Sequence, residues 1–356
     1  DILITTGGLG PTYDDLTKQT ICAAFDQPLV LHPDILEEIR VFYESALHVP
    51  MPENNAQQAM LPQGCTVFEN DWGTAPACAF EGEGCLVIML PGPPKECNAM
   101  FRACAIPYLK KLSDERIVSH SLRIFGLGES TVDQMFREEM NAMTNPSMAP
   151  YAKECDCLLQ VTAKAHSTEE AEAILKPIIA HVREKLGEYV YGMDVECVEE
   201  AVIELLREKN MRFSAAESCT GGDLARRFTD IPGASQCFLG GVVTYTNEAK
   251  AKLLGIDPAL IEEKGAVSFE VAKEMAERVR ARMGSDIGVG VTGLAGPDGD
   301  GVHEVGTVFV SMATAEQTWV KELHLGAFRT RSFIRRMAGN HIYDMMRRYL
   351  TGLKVM

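Results

Sequence analysis

Apolar and polar positions follow three successive rhythms along the chain. Up to about residue 113, short β-type apolar runs alternate with loops and amphipathic stretches. Ile2-Leu3-Ile4 leads into Gly7-Gly8-Leu9-Gly10-Pro11, helices are predicted over 15–25 and 33–47, and Cys85-Leu86-Val87-Ile88-Met89-Leu90 is a second buried strand halted by Pro91-Gly92-Pro93-Pro94. A helix over 95–112 follows. Strands alternating with helices predict a parallel sheet covered on both faces. The opening Asp1–Thr6 run reads as a buried strand already under way, so the chain is expected to begin inside a domain.

Between about 117 and 193 the rhythm is α+β. Strands are predicted over 119–125 and 158–165, with a short last strand over 189–192. A turn at Gly126-Leu127-Gly128-Glu129 precedes a helix for which Ser130 is the expected N-cap. Ser167-Thr168-Glu169-Glu170 matches a capping box opening a helix over 167–186. From about 197 the pattern is α/β again. Helices are predicted over 198–209, 270–283 and 330–350, and strands over 213–218, 240–246, 286–292, 306–312 and 319–324. Three domains follow from these changes: an α/β domain over 1–114, a small α+β domain over 117–194 and a second α/β domain over 197–356.

Composition narrows the function classes. The chain has 356 residues, is 46% hydrophobic and 24% charged, and carries a formal net charge of -16. A protein that coats nucleic acid would be basic, so no nucleic-acid partner is expected. No apolar run approaches the ~20 residues that span a bilayer, and no signal-peptide pattern opens the chain. No membrane partner is therefore expected. The eleven cysteines are scattered without a CxxC pair. Free thiols in a reducing cytoplasm are the expectation. The eight histidines show no HxH or HExxH spacing, which argues against a His-based zinc site. Arg335, Arg336, Arg347 and Arg348 on the last helix are expected to form a solvated face.

Three clusters can carry chemistry. In Gly7-Gly8-Leu9-Gly10-Pro11-Thr12-Tyr13-Asp14-Asp15-Leu16-Thr17, a strand ends in glycines and a helix N-terminus follows. Free N–H groups there suit a phosphate, and Asp14 and Asp15 could hold a hard divalent cation such as magnesium. The plainer alternative is a tight turn with Asp14 or Asp15 as N-cap. No Gly-Lys-Ser/Thr follows, so this is not a Walker A loop. In Glu217-Ser218-Cys219-Thr220-Gly221-Gly222, a serine sits at a strand end before a helix starting near Asp223, and donors at that turn suit a phosphate or an oxyanion. Tyr245 and Lys250 follow the next strand, and a desolvated lysine can act as base. Ser218 as a simple turn residue and Lys250 as a solvated charge is the alternative. Cys219 is a rival nucleophile, ranked below Ser218 for want of a histidine partner. The third cluster, Thr292-Gly293-Leu294-Ala295-Gly296-Pro297-Asp298-Gly299, suits close backbone approach to a nucleotide, with Thr292 as a hydroxyl donor; a flexible surface loop is the alternative.

These residues resemble a known family. The Gly7–Thr17 segment, Leu90-Pro91-Gly92-Pro93-Pro94-Lys95-Glu96 and the stretches around Asn55, Pro62 and Gly73 are similar to the molybdopterin-binding-fold domain that heads the CinA (competence/damage-inducible) proteins. Phe125–Ser130 resembles the family's KH-like domain, although Gly126-Leu127-Gly128-Glu129 is not the GXXG loop that clamps RNA. The third region resembles the C-terminal domain that also occurs alone as nicotinamide-nucleotide amidase. The resemblance implies that a strand and helix of the family's first domain precede Asp1.

It further implies hydrolysis of nicotinamide mononucleotide to nicotinate mononucleotide and ammonia, as part of pyridine-nucleotide recycling, with no cofactor for the amidase. By this resemblance Ser218 falls at the nucleophile, Tyr245 and Lys250 at supporting polar positions, and Thr292 beside the amide. Thr220, Gly221, Gly222, Gly293, Ala295, Gly296 and Arg331 border the substrate, although Arg329-Thr330 replaces the usual Gly-Asp before that arginine. Direct attack by an activated water, positioned by Ser218, stays open. In the first domain the resemblance implies a metal-dependent ADP-ribose pyrophosphatase, with Gly7, Gly8, Gly10, Thr12, Thr17, Gly92, Pro93 and Glu96 at the nucleotide and Asp14 and Asp15 at a divalent metal. Small-molecule nucleotides are the expected partners and a homodimer the expected assembly. The competing reading is a non-catalytic competence or damage-response protein whose first domain holds a pterin or nucleotide.

Overall fold

The computed structural model describes residues 1–355. It divides into two compact units, Asp1–Asp114 and Glu115–Met356. The first contains β1 (Ile2–Thr6), α1 (Thr17–Ala24), β2 (Leu29–Leu31), α2 (Pro33–Ser45), β3 (Met60–Pro62), β4 (Thr66–Phe68), β5 (Ala77–Gly82), β6 (Cys85–Leu90), α3 (Pro94–Met100) and α4 (Ile106–Lys110). Its main sheet has the order β1-β6-β5-β4.

That sheet corrects the expected all-parallel arrangement. Only β1 and β6 run parallel; β6, β5 and β4 are antiparallel. The cause is local. Glu83 and Gly84 both adopt positive φ, at 50° and 77°, and join β5 to β6 by a two-residue turn. Turns of that kind match the twist of an antiparallel hairpin. β6 alternates its side chains between two buried clusters, Val87 and Met89 against Phe80, and Ile88 and Leu90 against Met100. β1 is a second correction: Ile2, Leu3 and Ile4 are exposed rather than buried. Among the described residues β1 pairs with β6 alone, so it forms an edge. β2 to β5 were not anticipated, being short or lacking clear alternation.

The second unit holds two sheets. The smaller comprises β7 (Arg116–Ile124), α5 (Glu129–Ala142), β8 (Ser147–Ala152), β9 (Cys157–Ala165), α6 (Thr168–Leu186) and β10 (Val190–Met193), in the strand order β10-β7-β9-β8, antiparallel throughout. Ser167 caps α6 as expected, its side chain accepting from the Glu170 N–H. Ser130 does not cap α5. Gly128 is the N-cap and Ser130 lies inside the first turn. β8 escaped notice because Pro150 breaks its pattern, and a proline is tolerated at a sheet edge, where β8 lies.

The larger sheet follows from α7 (Val198–Glu208), β11 (Phe213–Glu217), α8 (Asp223–Thr229), β12 (Phe238–Val243), α9 (Asn247–Ala249), α10 (Pro258–Lys264), α11 (Phe269–Met283), β13 (Ile287–Gly293), β14 (Thr307–Ala313), β15 (Thr318–His324) and α12 (Arg331–Thr351). Its order is β12-β11-β13-β14-β15. β11 runs parallel to β12 and β13, while β14 and β15 complete an antiparallel meander. One face packs on α7, α8 and α12 through Val202, Phe228 and Tyr343, and the other on α11 through Val271, Met275 and Val279. Gly290 permits that closeness, because a Cβ there would lie 2.8 Å from the Ala272 carbonyl oxygen.

Two consequences bear on function. Glu217 pairs with Val243 on one side and Val291 on the other, so the loops after β11, β12 and β13 leave the sheet together. Ligand sites in open α/β sheets form at such carboxyl ends. Of Arg335, Arg336, Arg347 and Arg348 on α12, only Arg336 is exposed as a solvated face requires. Arg347 is buried against Asp344 and donates to the Glu188 carbonyl, Arg348 pairs with Asp344 and Glu188, and Arg336 with Glu154. All eleven cysteines are free thiols. No helix among the described residues is long and apolar enough to cross a membrane.

Candidate active site

The turn after β11 is built around a buried carboxylate. Glu217 ends the strand, and its side chain folds back to accept from the N–H groups of Gly222 (2.9 Å), Leu224 (3.1 Å) and Ala225 (2.9 Å). A negative charge is thereby placed at the positive end of α8. Gly221 and Gly222 carry φ of 60° and 90°, left-handed values that let the chain curl over that carboxylate. The expected donors at this helix end are therefore already occupied, and they are not open to a phosphate or oxyanion. Thr220, Gly221 and Gly222 do not line the cleft described below. Arg335 instead fixes Thr220 by donating to its carbonyl at 2.5 and 3.0 Å.

Ser218 is held by its N–H, which donates to the Val291 carbonyl at 3.0 Å. Thr246 caps the short α9 through the Ala249 N–H, and the following wide turn carries Lys250 inward. Lys250 is 1% exposed, with its Nζ 3.1 Å from Ser218 Oγ and 2.9 Å from the Thr244 carbonyl. No carboxylate forms an ion pair with it among the described residues. Burial lowers its pKa below the ordinary lysine value, partly opposed by the neighbouring Cys219. Burial pushes the Cys219 thiol up to about 12, so it is protonated at neutral pH and a poor nucleophile.

Ser218, Tyr245, Lys250, Thr292, Gly293, Ala295, Gly296 and Arg331 all line one cleft of about 210 Å³. Arg331 spans its rim, donating to the Gly296 carbonyl at 2.6 Å and to the Tyr245 hydroxyl at 2.8 Å. Thr292 is present in another role than expected. Its hydroxyl donates to the Ala266 carbonyl at 2.7 Å, so its proton is turned away from an oxyanion. Gly293 is small for packing against β14, since a Cβ would lie 2.7 Å from Val308 Cα. Asn247 and Asp298 also line the cleft, and neither had been given a role. The sign of Glu217 was its place, a carboxylate four residues before a Gly-Gly turn.

The first unit brings its two glycine loops into contact. The Gly7 N–H donates to the Leu90 carbonyl at 2.9 Å, and a Cβ on Gly92 would lie 3.2 Å from Gly7 Cα. Gly8 and Gly10 make room for Thr17 and Asp15, whose side-chain oxygens would lie 2.0 and 2.6 Å from added Cβ atoms. Pro93 precedes α3, and Glu96 accepts from the Asn70 amide at 2.7 Å. Asp14 and Asp15 both meet the Thr12 hydroxyl, at 2.6 and 2.5 Å, and Asp15 also accepts the Thr12 N–H at 2.8 Å. The carboxylates thus close a local turn, and neither is the side-chain cap of α1. No group of three or more His, Cys, Asp or Glu side chains able to hold a metal gathers among the described residues. Asp14 and Asp15 are therefore the two carboxylates that would hold the divalent metal expected here, with its remaining positions left to substrate and water. Sequence reading missed Lys18, buried with its Nζ on the Gln57 and Gln58 carbonyls and its pKa lowered to about 8 by burial.

Comparison with known proteins divides the chain three ways. Residues 1–111 match the probable molybdopterin binding domain, 119–192 the damage-inducible protein CinA KH domain, and 195–350 the CinA C-terminal domain. A putative competence-damage inducible protein of Caldanaerobacter subterraneus subsp. tengcongensis is 46% identical over 356 residues, covering 100% of this chain and 85% of that protein. A CinA-like protein of Desulfovibrio desulfuricans is 44% identical over 359 residues, covering 100% and 83%. The solved structure of the competence/damage inducible protein CihA from Agrobacterium tumefaciens is 32% identical, covering 43% of this chain and 95% of that one at a TM-score of 0.41.

Proposed function

Because the chain belongs to the CinA family of competence/damage-inducible proteins, we propose that its C-terminal region hydrolyses the carboxamide of nicotinamide mononucleotide, giving nicotinate mononucleotide and ammonia. The observation that carries the proposal is the buried amine of Lys250 placed 3.1 Å from Ser218 Oγ with no acid to neutralise it. Desolvation favours the neutral amine, the form that can accept the serine proton.

The chemistry then balances on two side chains. Ser218 Oγ attacks the carboxamide carbon as Lys250 takes its proton. The tetrahedral intermediate collapses, its C–N bond breaks, and Lys250 returns the proton to the leaving ammonia. Water attacks the resulting ester with Lys250 again as base, and the acid departs with Ser218 restored. The amides of Gly222, Leu224 and Ala225 hold Glu217, so the oxyanion donor is sought at Cys219, the residue of the turn after Ser218 that lines the cleft. Arg331 places a guanidinium at the rim of the cleft, which suits a phosphate-bearing substrate.

The test is ammonia release by the whole chain. Wild-type protein should turn over nicotinamide mononucleotide, and Ser218→Ala should not. Hydroxylamine should trap an acyl intermediate on Ser218. Turnover by Ser218→Ala at the wild-type rate would refute the nucleophile, whereas turnover lost without a trapped intermediate would favour direct attack by water. The pyrophosphatase expected of the first unit has less support, because no third His, Cys, Asp or Glu side chain joins Asp14 and Asp15 among the described residues.

A further inference from the structure

The Gly126–Glu129 turn takes no part in the amidase reading, yet it borders a second cleft of about 630 Å³ within the second unit. Phe328, Arg329, Phe333 and His341 form its opposite side. Phe328 is 83% exposed, an unusual state for a large apolar ring. The Arg329 guanidinium lies 4.9 Å from the Phe328 ring centre and 4.5 Å from that of Phe333. No carboxylate pairs with it among the described residues.

The acids around this cleft are engaged elsewhere. Glu154 pairs with Arg336 at 2.7 Å, Asp156 with Arg123 at 2.7 Å, and Glu129 accepts the Ala152 N–H at 2.9 Å. Among the described residues, Arg329 and Lys153 are the cations of the lining without an ion-pair partner, and Glu129, held by a neutral N–H, is the one acid of the lining without a cation. The ring of His341 stands 5.0 Å from that of Phe125, and burial lowers its pKa to about 4. At neutral pH it is therefore an uncharged imidazole, able to donate from one nitrogen and accept at the other. Open aromatic faces, an unpaired guanidinium beside them and a neutral hydrogen-bonding ring together complement a planar base that carries an anion.

We propose that this cleft binds a single free nucleotide, with its base against Phe328 and its phosphate on Arg329, at a site separate from Ser218. One nucleotide suits a cleft of about 630 Å³, and a net charge of -16 disfavours a polyanionic chain. The experiment is photolabelling of the whole protein with 8-azidoadenosine monophosphate, followed by peptide mapping. Label should appear in peptides spanning 324–341 and fall on addition of excess adenosine monophosphate. Arg329→Glu and Phe328→Ala should each reduce it about tenfold, the scale of a lost ion pair or stacked base. Ser218→Ala should leave it unchanged. Both side chains are at the surface of the cleft, so neither substitution threatens the core. Label confined to other peptides, label insensitive to Arg329→Glu, or stronger competition by an oligoribonucleotide than by the mononucleotide would overturn the proposal.

Discussion

Replacing Glu217 with alanine should expose how the nucleophile turn is held. The carboxylate is 2% exposed and accepts from three backbone N–H groups of the turn and of α8. A hydrogen bond to a charged acceptor contributes about 1.5–3 kcal/mol. Three of them outweigh the several kcal/mol spent desolvating the carboxylate, and truncation leaves three donors without a partner. The expected loss is about 3 kcal/mol, which lowers the midpoint of a unit this size by roughly 10 °C. The chain has two tryptophans, so in a Trp72→Phe background fluorescence reports Trp319 alone, on β15 of the same sheet. Asp223→Ala is the control, since Asp223 opens the same helix but pairs with the exposed Arg226 and should cost below about 1 kcal/mol. Because Ser218 follows Glu217 directly, ammonia release should also fall about a hundredfold, as displaced catalytic groups do. An alanine variant that melts no lower than the Asp223 control would refute the claim that this carboxylate holds the turn.

Deamidation should rise with pH through the titration of Lys250 and level off below the ordinary lysine pKa of about 10.4, while Lys250→Arg, always charged, should be inactive; a rate falling between about pH 6 and 9 would remove Lys250 as base. The same shift has a stability sign. The folded pKa lies below the unfolded one, so the penalty is full below the folded pKa and gone above the unfolded one, and Lys250→Met should stabilise the protein more in mild acid than in base. Thr292→Val should keep kcat within about threefold and cost about 1 kcal/mol, the hydroxyl being committed to Ala266; a hundredfold loss in kcat would return it to the oxyanion. Arg331→Ala should raise KM about tenfold with little change in kcat, as loss of uniform binding does; an equal fall in kcat would place Arg331 at the transition state.

What the chain fixed by itself is local. α6 was legible because its cap, Ser167, acts within a few residues, and α12 by its apolar spacing alone, its Thr330 cap showing only in the structure. β9 and β13 were legible because strand pattern and turn glycines are also short-range signals. Ser218, Lys250 and the loop after β13 could be picked out by residue type, and the family resemblance gave them roles. Tertiary structure decided how those pieces meet. Thirty-two positions separate Ser218 from Lys250, and no one-dimensional pattern says that β11 runs parallel between β12 and β13, bringing their ends together.

Burial was equally non-local. It lowered Lys250, raised Cys219 and turned Arg347 from a surface charge into a buried one, because dielectric surroundings are set by neighbours remote in sequence. Hydrogen-bond allocation was the last thing hidden. Whether the N–H groups at α8 face a ligand or Glu217, and whether Thr292 faces the cleft or Ala266, depends on competition among acceptors within about 3 Å. That competition exists only once the chain is folded.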